Sequence, residues 1–287
     1  MLSYRFMTMS MDGNRDGTTS LSTDDVLSNY MVAPERMDMQ MHMLGLMVAP
    51  WQRCTLMFMA PYVFKSMDHV TRIGAAFTSE TSGIGDLSAT ALVRLLDTDT
   101  GHLQATAGIS IPTGSIDETG NIPMGNGVQL PYPMQLGSGT WDPILGLTWT
   151  STYTRWSWGV QGSTRLRVAN NDRDYHLGNR GDATAWAGLV FGEWVSVSGR
   201  LFGSREQNIH GADAALNPMM VPTADPNRRA GTRFGAGAGL NLIVPHGPLA
   251  GLRLAVEFGA PLYQDLDGPQ LETDWTLVAG IQYARAW

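Results

Sequence analysis

At 287 residues the chain is long enough for one large domain, yet only 16% of it is charged, well below the roughly 25% of an ordinary soluble domain. A net charge of -7 argues against nucleic acid as the main partner. A single cysteine, Cys54, excludes an intramolecular disulfide and a cysteine-ligated zinc site, and no apolar run approaches the ~18–20 residues of a membrane helix.

Period-two alternation of apolar and polar residues, the mark of a half-buried strand, recurs along the whole chain. In order, it predicts strands at 2–11, 37–49, 54–66, 85–97, 102–112, 142–152, 156–168, 183–192, 195–206, 231–243, 251–263 and 274–287. In the fourth, Leu87, Ala89, Ala91, Val93 and Leu95 alternate with Asp86, Ser88, Thr90 and Arg94. In the eleventh, Leu252, Leu254, Val256, Phe258, Ala260 and Leu262 alternate with Arg253 and Glu257. The polar face carries Ser, Thr, Gly, Gln and Arg, with Lys65 the one lysine of the chain. A soluble sandwich would carry Lys and Glu there.

Connection lengths alternate as well. Short turns are expected near 50–53, 98–101, 153–155, 193–194 and 244–250. Long polar loops are expected near 12–36, 67–84, 113–141, 169–182, 207–230 and 264–273. Short turns on one side and long loops on the other are the layout of bacterial outer-membrane barrels. The fold expected is therefore a single all-β domain over 1–287, a transmembrane antiparallel up-and-down β-barrel of about 12 strands facing outer-membrane lipid. Trp51, Trp156, Trp194 and Trp287 fall at the short-turn side, where an interfacial girdle belongs. The opening residues 1–10 lack the apolar core and cleavage site of an export signal, so an exported barrel requires either a processed mature chain or a truncated gene start. The last strand ends on Trp287 with Tyr283 and Ile281 at alternate positions, resembling the segment read by the barrel assembly machinery. Arg285 departs from that pattern.

Three segments carry a family resemblance: Leu130-Pro-Tyr-Pro-Met-Gln-Leu-Gly-Ser-Gly-Thr140, Asn217-Pro-Met-Met-Val-Pro-Thr-Ala-Asp-Pro226 and Tyr263-Gln-Asp-Leu-Asp-Gly-Pro-Gln-Leu-Glu-Thr-Asp-Trp275. With the Met-rich start they resemble the outer-membrane transporter-like proteins of the meta-pathway phenol-degradation family. The resemblance implies a barrel and passage of small, even aromatic, compounds. It supplies no catalytic residues.

Several constellations are candidate sites. Arg5, Arg94, Arg165, Arg167, Arg200, Arg233 and Arg253 fall on the polar, lumen-facing parity, with Asp38, Asp86, Asp142 and Glu257. Such charges either pair across the lumen as a structural network or form an anion-favouring constriction. Thirteen of 17 methionines lie in the first 67 residues. Thioethers are soft ligands that suit copper(I), and Met is equally a flexible apolar filler. With Arg5, Asp38, His42 and Thr55 taken as luminal, Met7, Met9, Met11, Met57 and Met59 join them, and Met37, Met39, Met41 and Met43 face lipid. Met7, Met9, His42, Met57 and Met59 are thus the soft-metal candidates. Asp12, Asn14 and Asp16, with Gly17 following, match the first half of a calcium loop, although a polar turn explains them equally. The six histidines are scattered and no nucleophile motif accompanies them, so an enzyme acting at the barrel rim is a minor reading. The expectation is a channel or transporter-like barrel for small solutes, the alternative a closed structural or binding barrel with a charge-filled lumen.

Overall fold

The computed structural model describes residues 1–123 and 125–284. It is the all-β antiparallel barrel that the alternation predicts. Eleven strands close the ring: β1 (Leu2–Gly17), β2 (Val32–Trp51), β3 (Cys54–Thr71), β4 (Leu87–Asp97), β5 (Gly101–Ile111), β6 (Asp142–Thr152), β7 (Trp156–Arg165), β8 (Arg180–Phe191), β9 (Val195–Glu206), β10 (Gly231–Ile243) and β11 (Leu252–Tyr283). Each pairs with its neighbours in chain order, and β11 returns to β1. Two further strands of the same sheet lie outside the ring: Thr19–Leu21 on β1 and Ala76–Ile84 on β3.

Twelve expected strands become eleven because 251–263 and the described part of 274–287 belong to one 32-residue strand, β11. An all-antiparallel ring nevertheless needs an even number of passes. β10 runs antiparallel to β1 after ten alternating strands, so no straight strand can be antiparallel to both. β11 is antiparallel to both, pairing with β10 as far as Leu266 and with β1 from Leu266 onward. It therefore reverses, and its halves bond each other: the Thr273 amide donates to the Gln264 side chain at 3.0 Å and the Ala284 amide to the Gly251 carbonyl at 3.3 Å. Residues 285–287, with Arg285 and Trp287, lie outside the described residues.

Direct partners on adjacent strands share a face, so the register assigns every side chain to lumen or exterior. Leu46, Phe58, Leu147, Val197, Leu254 and Ile281 stand exposed on the outer face. The inner face carries Arg, Asp, Glu, Ser, Thr, Gly and, on β1–β3, Met. Trp51, Trp156 and Trp194 are exposed at the short-turn end, and the Trp156 ring stacks on Tyr153 with centroids 4.3 Å apart.

At the other end the strands run on into segments expected as loops. β1 continues through 12–17 and β2 begins at 32, while 54–84 forms a long hairpin whose second strand, 76–84, pairs with β3 alone. The physical reason is that pairing satisfies backbone groups above the membrane as well as within it, and the polar sequence there gives no alternation to read. A short helix, Thr23–Asn29, interrupts the first long loop. Ser22 and Asp25 cap it reciprocally, a signal present in the sequence.

The two faces make opposite demands on one strand. Leu147 and Thr148 are neighbours on β6, the first exposed outward and the second paired with luminal Gln104. Leu147→Arg should cost about 2–4 kcal/mol near the bilayer midplane, and Thr148→Arg far less. Urea unfolding of vesicle-inserted protein checks this; equal costs would reverse the inside-outside assignment.

Candidate functional site

The lumen is not an open tube. The segment 112–141 folds down from the long-loop end and packs against the inner wall. Met134 is fully buried there, in a cluster with Met37, Met67, Leu130 and Leu271. Inward-facing Lys65 donates to the carbonyls of Pro133 at 2.7 Å and Gln135 at 2.5 Å, and Thr81 Oγ1 donates to the Met134 carbonyl at 2.9 Å. Asp86 accepts from the amides of Gly114 (3.1 Å) and Ser138 (2.9 Å) and from the Ser138 hydroxyl (2.7 Å). Asp142 accepts from Thr140 Oγ1 at 2.7 Å and Ser138 Oγ at 3.1 Å, and pairs with Arg167. The two ends of the inserted segment touch where Gly114 meets Gly137. A Cβ on Gly137 would sit 2.3 Å from the Gly114 carbonyl oxygen, so the crossing needs glycine.

The other long loops close over this segment. Tyr132 meets Tyr175 edge-on at 4.9 Å and, with Ile209, forms a small core of its own. Burial pushes the Tyr175 phenol up to about 12, so it stays neutral. The Asp213 amide donates to the Tyr132 hydroxyl at 3.0 Å, and the Asn171 side chain donates to the Ser138 carbonyl at 3.0 Å. Below this cap lies a chamber of about 400 Å³.

All seven arginines expected in the lumen fall on inward positions, but in different roles. Arg94 sits at the short-turn mouth, 3.5 Å from Asp97. Arg167 is spent on buried Asp142, and Arg200 on Glu257, with its guanidinium 5.1 Å from the Phe202 ring centroid. Asp86 anchors the inserted segment. These support the structural reading of the charges. Arg5, Arg165, Arg233 and Arg253 form no ion pair among the described residues. The chamber itself is lined by Lys65, Arg165, Arg167 and Arg229 against Asp86 and Glu206. Burial drives the Arg229 guanidinium down to about 10, still charged at neutral pH. Lys65 could have been read from its alternation with Met57 and Met59. Arg180 extends the alternation of β8 with Asp182 and Thr184 three residues before the strand's expected start, whereas Arg229 lies in a segment with no periodicity and nothing in the sequence marks it.

The methionine parity needs correction. Met7 pairs directly with Met41, Met9 with Met39 and Met11 with Met37, while Met37 and Met47 pair with Met67 and Met57. All face inward, including Met37, Met39, Met41 and Met43, which were expected in lipid. His42 and Asp38 face outward. The His42 ring lies against Phe6 (5.1 Å) and Phe64 (5.7 Å), and its Nδ1 is 2.7 Å from the Tyr4 hydroxyl. The error came from letting two polar residues set the inner face of β2, where polar outward positions mark its emergence above the apolar band. The expected soft-metal set is not brought together. Met59 lies level with Ser3 through Gly45, and Met57 opposite Met47, level with Met1. Met7 is four residues further along the wall than Ser3, about 13 Å at the rise of a strand.

The calcium reading also meets an obstacle. Asp12, Asn14 and Asp16 lie along strand β1 rather than round a loop. Asn14 is buried and donates to the Pro34 carbonyl at 2.6 Å, and Asp16 accepts from the Gly268 amide at 3.0 Å. Among the described residues no three His, Cys, Asp or Glu side chains gather in a metal-ligating cluster.

Residues 52–272 match the family described as "MetA-pathway of phenol degradation". The chain belongs to this family. Among solved structures it is similar to the COG4313 outer membrane channel from Pseudomonas putida F1, at 16% identity and a TM-score of 0.61 over 98% of this chain and 94% of that one. It is also similar to the transport unit of the autotransporter AIDA-I from Escherichia coli, at 10% identity and 0.54 over 99% and 90%. Both are outer-membrane barrels, and the chain shares their fold. No curated protein matches in sequence.

Among the described residues of this family member the Asp142–Arg167 pair is the most deeply enclosed charge contact, with side chains 0% and 7% exposed. Removing one partner of such a pair strands the other and costs about 3–5 kcal/mol. Asp142→Ala should therefore destabilise the protein by about that much in denaturant unfolding. Asp182→Ala, whose half-exposed partner is Arg180, should cost under about 1 kcal/mol.

Proposed function

We propose that the protein is an outer-membrane channel for small solutes whose aperture is set by the inserted segment 112–141. One observation carries this reading: the segment is held inside the lumen by Lys65, Asp86 and Asp142, with a solvent-sized chamber beneath it rather than a filled core. A purely structural barrel has no use for a polar chamber, and polar residues facing such a space must be hydrated or engage a solute. Family membership and the likeness to a solved outer membrane channel agree with a channel-like barrel. The reading is of a pore rather than a catalyst.

Release of the segment is the test. Asp86→Ala removes three of its anchoring hydrogen bonds, and Gly137→Val forbids its crossing with Gly114. Either variant should raise single-channel conductance in planar bilayers above that of wild type. Unchanged conductance in both, or absence of any current through wild type and variants alike, favours a closed barrel.

Soft-metal binding is retained only in a narrower form, favoured by the inward pairs Met7–Met41 and Met9–Met39. Cross-strand partners have Cβ atoms about 5 Å apart, within reach of one ion. Lys65 stands beside Met39 in register, and Arg165 and Arg229 face the same chamber, so the local field repels a cation. Silver(I) titration of wild type and of a Met9→Leu, Met39→Leu variant should give equal, weak binding. A clear loss in the variant would make the wall a metal site. Contact of the closing strand with the barrel assembly machinery is likewise proposed, from the sequence of the strand's end.

A further inference from the structure

The chamber beneath the inserted segment has two chemically different walls. One is apolar and comes from β2, β3 and the segment itself: Met41, Met43, Met59, Pro61, Val63 and Leu136. Thioethers adapt to the shape they meet and make favourable contacts with flat rings. The facing wall is basic. Arg165 projects from the end of β7, and Arg229 from the loop that precedes β10.

The charges on that wall do not balance. Of the four cations at the chamber, Arg167 is taken by Asp142. The Lys65 ammonium is turned to two backbone carbonyls. Of the two carboxylates, Asp86 is occupied by two amides and a hydroxyl of the inserted segment. Glu206 remains, and it lies 3.9 Å from Arg180 while also facing Arg229 and Arg233. Arg180 is itself bonded to Asp182 at 2.9 Å, so two carboxylates meet these three guanidiniums, and with Arg165 beside them the wall keeps an excess of positive charge. Arg165 and Arg229 form no ion pair among the described residues. A guanidinium enclosed by protein without a counter-charge is costly, and an anion arriving from solution removes that cost.

We propose that this chamber binds an amphipathic organic monoanion, its charged end on Arg165 and Arg229 and its apolar body against Met41, Met43, Met59 and Val63. The proposal deepens the channel reading and rests on it for its meaning, though binding is measurable without transport. A planar carboxylate suits the guanidinium fork, which recognises two oxygens at once. The volume of about 400 Å³ lies within the roughly 300–1,000 Å³ of small-molecule sites. It admits an arene carboxylate and leaves room for water at the charged end. A bare inorganic anion would leave the methionine wall unused, and a neutral arene would leave the guanidiniums unmatched.

Three probes separate these cases: benzoate, acetate and benzyl alcohol, titrated calorimetrically into the full chain in an uncharged maltoside detergent. Benzoate should bind saturably at one site, and both other probes at least about tenfold more weakly, as charge-assisted hydrogen bonding and apolar burial are each lost in turn. An Arg165→Gln, Arg229→Gln variant should lose about tenfold or more of benzoate affinity while its benzyl alcohol affinity stays as it was. Arg→Lys at both positions should recover part of the loss. Met43→Gln should weaken benzoate and leave acetate unaffected. Heat-dependent gel mobility establishes that each variant remains a folded barrel. Benzoate binding no tighter than acetate, or indifferent to the Arg165 and Arg229 changes, overturns the proposal. Potassium chloride conductance through the same preparations reports on the channel reading by itself, so the failure of one is distinguishable from the failure of the other.

Discussion

No water reaches the hydrocarbon core of a bilayer to satisfy an unpaired amide, so a sheet that crosses it must have no edge. Most of the architecture follows from that requirement. Consecutive antiparallel pairing can close only after an even number of passes, and β11 meets the condition by reversing within one continuous run of paired residues. Closure then divides the side chains into two populations. One set meets lipid and is held apolar. The other meets an enclosed volume whose polarity must be settled by contacts within the protein. The inserted segment is one way of settling it: Asp86, Asp142 and Lys65 would otherwise face an empty lumen, and instead each bonds the chain that narrows it.

That arrangement ties aperture to stability. Asp142 joins the inner wall, the inserted segment and Arg167 in one buried network. Tyr132, Tyr175 and Ile209 join that segment to the loops above it. The cap is therefore a cooperative unit with its own small core rather than a set of independent loops. Movement of one loop would have to expose apolar surface belonging to another. Passage beneath such a cap is governed by the dimensions of the chamber and the charge around it, which is why the imbalance around Glu206 matters more than the net charge of the chain.

Much of this was legible in the sequence because one rule, alternation, governs every strand that faces lipid. The strands 142–152, 195–206 and 231–243 were placed with the bounds observed. Inward orientation of Arg165, Arg200 and Arg233 followed from the same rule. It failed where lipid ceased to impose it. On β2 the outward residues Asp38, Gln40 and His42 lie above the apolar band, and taking them for luminal inverted the methionines beside them. Alternation also says nothing about which inward charges find partners. Arg200 and Arg165 look alike in sequence, yet one rests on Glu257 and the other faces the chamber. The residues supplied by irregular segments, Arg229 above all, carry no periodic signal. Their position depends on how three loops pack, which only the folded chain displays.

The two sides of the bore are coupled to different degrees. On β8–β10 the inward residues interlock: Trp186 lies against Gly159, Phe202 lies against Gly235, and Arg200 sits over Phe202 while holding Glu257. A Cβ at Gly235 would come within 2.5 Å of the Phe202 ring, and that ring cannot give way without displacing the guanidinium above it. This side can diverge only by concerted replacement of several residues. The methionine side is built of side chains that re-pack singly. Relatives that keep the ring should therefore vary their bores unevenly, drifting one residue at a time along β1–β3 and changing in blocks along β8–β10.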